Sequence, residues 1–560
     1  KHKKRSRNPT LSAFLLIQSS CSQKEGIFNM SYFNTNETFF VIPLNTNDEE
    51  IKKINYLFYI LEKSGVGDII KSTNYKSSNI GRKSYNPYKL FVAIIYCFTL
   101  HKGTLRNCEE MCAYDLRLHY ILNQETPSYK TIYEFINNVI LPNKELIFSR
   151  ITKTIIDELN IDIEDCYLDG TKLEANANKY KFVYKPRKHK TNLEHKIESL
   201  LKEMGKECSD ISSPLLLKKL KEFEKENNIK VEKIKTGKGI RLSRDKKLCI
   251  TGYQYLNKLL EYEEKERICG PNRNSYYKTD HDATAMALKS DYYSGHGSNM
   301  KAAYNVQFLV SSGLILMYGV FQDRTDYHTL IPMLDRYKKY YNTTPTNLCA
   351  DAGYGIYDNY KYLENNSINN YVKYLAWSKE KDGKNPQKIF LNKDEETVRC
   401  LNKENGTIIP FNGIHPRLKN SKLYKFTGCL KCGYEYICRN LLKNRDIDYR
   451  TFEINVDNER LKNIARNNLK SLKGIEIRVN RSIQVEGSFG ELKQNIGYVR
   501  VRRRGLESVS CEIMLMALAI NIRKLFSIYN QRNIKSKFWE VKEGTKPEEF
   551  KEIKQKKKDC

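Results

Sequence analysis

The chain has 560 residues, 40% of them hydrophobic, so it is long enough to bury large cores and to form three or four domains. Its 96 Lys and Arg residues outnumber its 66 Asp and Glu residues, and the net charge of +30 favours a polyanionic partner, nucleic acid rather than a membrane surface. The best apolar run, residues 90–98, is about half of the ~20 residues needed to span a bilayer, so we expect no membrane segment.

The cysteines and the first residues bear on where the protein acts. Fifteen cysteines are an odd number, and most stand singly in apolar patterns, as reduced thiols of a cytosolic protein do. Residues 1–29 combine a basic run with a short apolar stretch that loosely imitates a signal peptide. We interpret them as a dispensable upstream extension, within a poorly structured segment 1–49.

Residues 86–158 show helical periodicity. Asn86 and Pro87 are typical of a helix cap and first turn, a second helix is expected near Thr104, and a third after Pro127. Short helices in a basic chain are compatible with a helix-turn-helix DNA-binding domain, and equally with any small helical domain.

The middle of the chain predicts a mixed α/β sheet. Residues 161–170 indicate a buried strand that stops at Gly170, with Asp169 at its C-terminal end. A helical hairpin is expected to follow over residues 187–235. A β-hairpin (304–310 and 314–320), a helix after residue 325, a strand ending at Asp351, a helix near 358–365 and a strand over 371–376 complete the pattern.

The remaining third contains a polar segment with cysteines, residues 378–445, and two helices over 486–527 that are broken at residues 500–505. The second of these helices is expected to close the core with four apolar residues: Ile513, Met514, Ala517 and Ile520.

Three acidic residues could supply the hard oxygen ligands that two divalent cations need for phosphodiester cleavage: Asp169, Asp351 and Glu486. Glu486 and Lys493 are seven residues apart, so on a helix they project from one face. Spacing alone does not show that the three acids converge, and four other aspartates are rivals: Asp280, Asp282, Asp323 and Asp326.

Five segments carry a resemblance in consistent order: residues 169–180, 279–284, 303–307, 350–355 and 481–493. They resemble the successive motifs of bacterial insertion-sequence DDE transposases, in the subgroup with a Cys-rich insertion within an RNase H-like catalytic domain. The resemblance covers about residues 50–527, and the segment before the sheet is similar to the N-terminal domain of these enzymes.

The resemblance implies metal ligands at Asp169, Asp351 and Glu486, holding two Mg²⁺ or Mn²⁺ ions, and it retains the Glu-x6-Lys signature in Glu486 and Lys493. Apart from the resemblance, we predict DNA-binding roles for a set of basic residues: Lys493, Arg481, Arg500, Arg502, Arg503 and Arg504. Position 482 is Ser and position 479 is Val where wider transposase groups have Arg and Tyr, so those two roles are not transferred. His281 stands where a proline is expected, which affects a loop.

The cysteines Cys429, Cys432 and Cys438 form a CxxC pair with a third Cys six residues on, which is typical of a zinc knuckle. Cys400 or His415 could be the fourth ligand. The alternative is a set of reduced thiols packed in the insertion.

The predicted organisation is a helical DNA-binding domain over 50–158, a catalytic domain over 159–377 and 446–530 with a helical insertion 185–270, a Cys-rich insertion 378–445, and a basic tail 531–560. The resemblance implies a cytoplasmic, nucleoid-associated transposase that binds the inverted repeats of its element, hydrolyses the DNA ends and joins the 3′-OH to target DNA, acting as a homodimer on double-stranded DNA. The alternatives are a sequence-specific nuclease on the same fold and a catalytically inactive DNA-binding derivative.

Overall fold

The computed structural model describes residues 48–73, 75, 84–100, 103–206, 210–231, 241–288, 300–394, 396–412, 416–438, 447–529 and 537–551. The predictions for residues 1–29, for most of segment 1–49 and for His415 lie outside the described residues. Within the described ranges, no helix combines the length and apolarity that crossing a bilayer requires.

The chain before the sheet is helical, as predicted. Its helices are α1 (Glu49–Lys63), α2 (Val66–Ser72), α3 (Pro87–Thr99), α4 (Leu105–Tyr114), α5 (Leu116–Leu122), α6 (Tyr129–Phe135) and α7 (Leu141–Glu158), the last two joined by a π-helical segment, Ile136–Ile140. The predicted helix starts are confirmed: Asn86 accepts hydrogen bonds from the amides of Tyr88 and Lys89, and Thr104 caps α4 through the amide of Asn107.

A six-stranded mixed sheet lies at the centre of the protein. The strands of this half of the chain are β1 (Asp165–Glu174), β2 (Phe182–Tyr184), β3 (Ser275–Tyr277), β4 (Thr284–Ala287), β5 (Met300–Ser311), β6 (Leu314–Phe321), β7 (Asn347–Ala350) and β8 (Asn369–Asn370). The order is β4-β5-β1-β7-β8, with β6 also paired to β5, while β2 and β3 form a separate ribbon. β1 is antiparallel to β5 and parallel to β7. The mixed α/β class is confirmed and is consistent with an RNase H-like transposase.

Two strand predictions are wrong in their extent. β1 does not stop at Gly170 but continues to Glu174, because β5 pairs with it as far as Ala303. Asp169 therefore lies inside a strand rather than at its C-terminal end. The strand expected over 371–376 does not form; β8 lies just before it, although the amides of Tyr371 and Lys373 donate to the carbonyls of β7.

The insertion after β2 contains a third helix beyond the predicted hairpin. Its helices α8 (Arg187–Glu203), α9 (Ser213–Glu226) and α10 (Arg244–Cys269) share a core of their own. The helical spacing of apolar residues predicted α8 and α9, and these residues are buried in the shared core: Leu193, Ile197, Leu200, Leu216, Leu220 and Phe223.

The chain from β6 onward first adds α11 (Leu330–Tyr341), α12 (Tyr357–Asn365) and α13 (Trp377–Lys381). The cysteine-bearing segment forms small sheets from β9 (Ile389–Leu391), β10 (Val398–Cys400), β11 (Thr407–Ile409), β12 (Lys422–Thr427) and β13 (Tyr449–Ile454), with the short helix α14 (Glu435–Cys438). The three-stranded sheet β11-β12-β13 extends past residue 445, the predicted end of this insertion. The predicted domain boundaries stay predictions.

Three long helices end the domain: α15 (Val456–Lys470), α16 (Leu472–Gly490), continued by a π-helical segment Glu491–Asn495, and α17 (Leu506–Tyr529). The helix bearing Glu486 thus begins 14 residues earlier than predicted. α17 is buried along most of its length, including the four residues predicted to close the core. One continuous core joins the N-terminal helices, the sheet and α17.

Residues 537–551 run in extended form against α16 rather than away from the protein. Asn480 accepts from the amides of Phe538 and Trp539, and Glu548 forms an ion pair with Arg478 at 2.6 Å. The described part of the predicted basic tail is therefore docked on the helix that carries Glu486.

Candidate active site

The sheet brings Asp169 and Asp351 together. β1 and β7 are parallel, and their register ends with Leu168 opposite Ala350. The next residue on each strand is an aspartate, so the two carboxylates stand side by side at the point where β7 ends and β1 continues. The strand-end prediction is confirmed for Asp351, and the pairing with Asp169 comes from tertiary structure.

Arg481 of α16 supplies a cation to this pair. Its Nη1 lies 2.6 Å from Oδ2 of Asp169, and its side chain is only 8% exposed. Burial raises the pKa of Asp169 above its ordinary value and the negative charge of Asp351 adds to the effect, while Arg481 and the amide of Gly170 oppose it. The Nε atom of Arg481 is buried and has no hydrogen-bond partner among the described residues. Arg481, predicted to contact DNA, here balances the charge of Asp169.

Asp351 is held in its ionised form by two cations. Its Oδ1 is 3.6 Å from Nζ of Lys373, and its side chain is about half exposed. Burial alone would raise its pKa, but Arg481 and Lys373 together bring the pKa below the ordinary value. Adjacent carboxylates whose environments push their pKa values in opposite directions are typical of functional sites.

Glu486 lies on the exposed side of α16, five residues after Arg481. Phe489, one helical turn later and on the same face, stacks on Phe308 with ring centroids 4.9 Å apart. Phe308 is the β5 residue paired with Asp169. Glu486 is therefore one turn before the part of α16 that packs on β5, and among the described residues it has no hydrogen bond or ion pair with either aspartate.

Lys493 reaches the same strand further along. Its Nζ donates to Oγ1 of Thr171 at 2.5 Å. Thr171 and Asp169 are two residues apart on β1 and so share one face of the sheet. Lys493 lies in the π-helical segment after α16, a distortion often found at functional sites.

The loop of arginines between α16 and α17 is tightly placed. Backbone amides of Arg502 and Arg503 donate to the carboxylate of Glu512, and Nη1 of Arg503 donates to Asn137 of the helical segment. Nε of Arg504 donates to the carbonyl of Asn176, just after β1. Two other contacts complete the loop: Arg500 is 3.8 Å from Glu174 and Arg502 stacks on Tyr498. The loop thus joins the N-terminal helices, the sheet and α17.

A polar network on the other face of β1 was not foreseen. Gln307 on β5 is fully buried and donates to Asn305 at 2.9 Å and to Asp326 at 2.8 Å, and it accepts from the hydroxyl of Tyr354. Tyr354 follows Asp351 by three residues, and Gly170 lies directly over Gln307. Strand alternation along residues 303–307 is the signal that could have paired Asn305 and Gln307 on one face.

Three of the four rival aspartates have structural partners. Asp280 is buried, accepts from the hydroxyl of Tyr304 at 2.8 Å and from the amide of Gly505 at 3.2 Å. Asp282 accepts from the amide of Leu506 at the start of α17. Asp326 belongs to the network with Gln307. Asp323 borders a separate cavity beside Arg273.

The donor chemistry at Asp169 and Asp351 fits a divalent cation. Two adjacent carboxylates supply hard oxygens, and the guanidinium of Arg481, paired with Asp169, shows that positive charge is favoured there. Among the described residues, however, no group of three or more His, Cys, Asp or Glu side chains is arranged to hold a metal ion. Glu486 would have to turn toward the aspartates to complete the set.

The four candidate zinc ligands line one small cavity of about 30 Å³: Cys400, Cys429, Cys432 and Cys438. Burial raises the pKa of Cys438, while Arg450 and Lys388 oppose the rise. The soft donor set fits Zn²⁺, but the geometry of a metal site is not formed among these described residues.

Residues 410–526 match a family model described as Transposase DDE domain. The match supports a DDE transposase and includes Glu486, Lys493 and the arginine loop, whereas Asp169 and Asp351 precede it. No curated protein and no solved structure matches the chain significantly.

Proposed function

We propose that this protein is a transposase that binds the terminal inverted repeats of its own insertion sequence, hydrolyses the DNA ends and joins the freed 3′-OH to target DNA. The observation that carries the proposal is the side-by-side placement of Asp169 and Asp351, next to a helix from the segment that matches the transposase domain.

The roles follow from chemistry and position. Asp169, Asp351 and Glu486 would hold two Mg²⁺ or Mn²⁺ ions, which, when bound, activate the attacking oxygen and stabilise the leaving one. Binding of such ions would release Arg481 from Asp169, and its guanidinium would then be free to hold a DNA phosphate. Lys493, reaching the same strand, would hold a second phosphate.

The arginine loop would bind the DNA backbone. Arg500, Arg502, Arg503 and Arg504 lie between the N-terminal helices and β1, so DNA following this loop would reach both the catalytic carboxylates and the helical segment. We propose that the helical segment binds the repeat and that a homodimer holds two ends.

The test uses a mini-element bounded by the inverted repeats that flank the gene. Asp169→Asn, Asp351→Asn and Glu486→Gln should each abolish cleavage and leave end binding nearly unchanged, because a neutral amide is a poorer ligand while the basic surface is intact. Asp358→Asn is the matched control, since Asp358 is an exposed carboxylate that pairs with Lys419. Near-normal cleavage by one of the three variants would remove that residue from the site.

The products separate the alternatives. Strand-transfer products support the transposase, cleavage without joining supports a nuclease on the same fold, and binding without either supports an inactive derivative.

A further inference from the structure

A cavity of about 330 Å³ lies beside α16. Its walls come from α16, α17, the β5–β6 turn and the docked tail. They include the apolar side chains of Ile483, Ile520 and Phe538, and do not include Asp169, Asp351 or Arg481. Cavities of this size and mixed lining are typical of small-molecule sites.

Lys524 of α17 projects into this cavity. Its ammonium lies against the β5–β6 turn, where a Cβ built on Gly313 would come 1.6 Å from Nζ. The ammonium makes a cation–π contact with Phe538, with Nζ 5.0 Å from the centroid of the ring. Among the described residues it has no hydrogen bond or ion pair, and burial lowers its pKa to about 8. A partly buried cation without a counter-ion carries a desolvation cost, so a ligand that supplies negative charge would be favoured.

The other charges in the cavity cancel. Nε of Arg523 and Oε1 of Glu491 are 2.9 Å apart, so this pair contributes no net charge. Lys524 leaves the cavity with a charge of +1, which favours an anion over a cation or a neutral ligand. The ring of Phe538 and the side chain of Ile483 would contact an apolar or flat group attached to that anion.

We propose that this cavity binds the phosphate group of a nucleotide, free or within a DNA strand, with Lys524 as the cation and Phe538 beside the base. The cavity holds a group of this size, and an aromatic wall next to a cation matches the two ends of a nucleotide. The inference depends on this cavity alone and stands whether or not the chain cuts DNA.

Chemical protection of Lys524 tests the proposal on the full-length protein. At pH 8 about half of Lys524 is deprotonated, so an amine-acylating reagent should modify it faster than an ordinary lysine. The probes are inorganic phosphate, a deoxynucleoside monophosphate and a single-stranded oligonucleotide, with acylation followed by peptide mass spectrometry. Lys384, which is 76% exposed, is the internal control.

We expect the nucleotide probes to slow acylation of Lys524 several-fold and to leave Lys384 unchanged. Protection by the oligonucleotide alone identifies a DNA phosphate, and protection by the mononucleotide alone identifies a free nucleotide. Protection by inorganic phosphate only, or by no probe, overturns the proposal.

A second measurement uses Lys524→Met, which removes the charge and keeps the length of the side chain. The variant should fold, because it loses a partly buried charge that has no counter-ion. The protective probe should raise the melting temperature of the native protein and not that of Lys524→Met, by mass action on the folded state. An equal rise in both proteins would place the nucleotide elsewhere.

Discussion

The substitution Gly170→Ala tests whether Gln307 packs directly against β1 on the face opposite Asp169. A Cβ at this position would come 2.0 Å from Nε2 and 2.7 Å from Cδ of Gln307, and 3.0 Å from Oδ1 of Asp326. Gln307 is fully buried and cannot move without breaking its hydrogen bonds to Asn305 and Asp326. Two such bonds are worth about 1 kcal/mol each, and overpacking adds about 1–3 kcal/mol. Since Ala is favoured over Gly in a strand by about 0.5–1 kcal/mol, we expect a net loss of about 2–4.5 kcal/mol in the free energy of unfolding.

Urea unfolding followed by tryptophan fluorescence is a suitable assay, because both tryptophans of the chain lie close to the sheet and α16. Trp377 is buried against Phe550, and Trp539 is held by Asn480. Gly490→Ala is the matched control: it lies at the end of α16, and a Cβ there meets nothing within 4 Å. Helix propensity predicts that this variant is unchanged or stabilised by up to about 1 kcal/mol.

A double-mutant cycle separates the proposed clash from a general effect on the strand. Gln307→Ala removes the group that the new methyl would strike, so Gly170→Ala should cost less in that background, and the two losses should not add. Additive losses, or a Gly170→Ala protein that unfolds at the same urea concentration as the native one, would refute the reasoning.

Two further predictions concern the basic and cysteine-bearing residues. Lys493→Ala should weaken binding of the element ends and lower the salt dependence of that binding by about one phosphate. Lys384→Ala, at an exposed lysine, is the control. If affinity and its dependence on salt were unchanged, Lys493 would be only a structural partner of Thr171. Protein purified without added zinc should contain about one equivalent of the metal, because four thiolates favour tetrahedral Zn²⁺. The zinc content should fall in Cys429→Ser and in Cys400→Ser but not in His415→Ala. A stable, zinc-free protein would show that these residues are ordinary thiols.

Much of the local structure could be predicted from the sequence, because its causes are local. Asn86 followed by Pro87 starts a helix, because the Asn86 side chain accepts from two backbone amides and Pro87 has a fixed φ angle, and Thr104 starts one through its hydroxyl. The hairpin of β5 and β6 follows from β-rich runs on either side of a short turn. The mixed sheet class followed from the order of such elements.

The extent of β1 could not be predicted in this way. Gly170 resembles a strand end in the sequence, yet it lies within a strand because β5 supplies a partner along the whole of β1. The glycine is required by the close approach of Gln307 instead of by a turn. Strand length depends on pairing between distant segments, which periodicity within one segment does not report.

For the candidate site too, some features follow from the sequence and others only from the tertiary structure. The sequence by itself determined which residues could do the chemistry: two aspartates after apolar runs, and a glutamate and a lysine at helical spacing. Only the tertiary structure decided that Asp169 and Asp351 are neighbours, that Arg481 pairs with Asp169 and that Glu486 is exposed on α16. The reason is physical: those distances depend on the register of two strands and on how α16 packs across them, and both are decided by burial of the whole core rather than by any single segment.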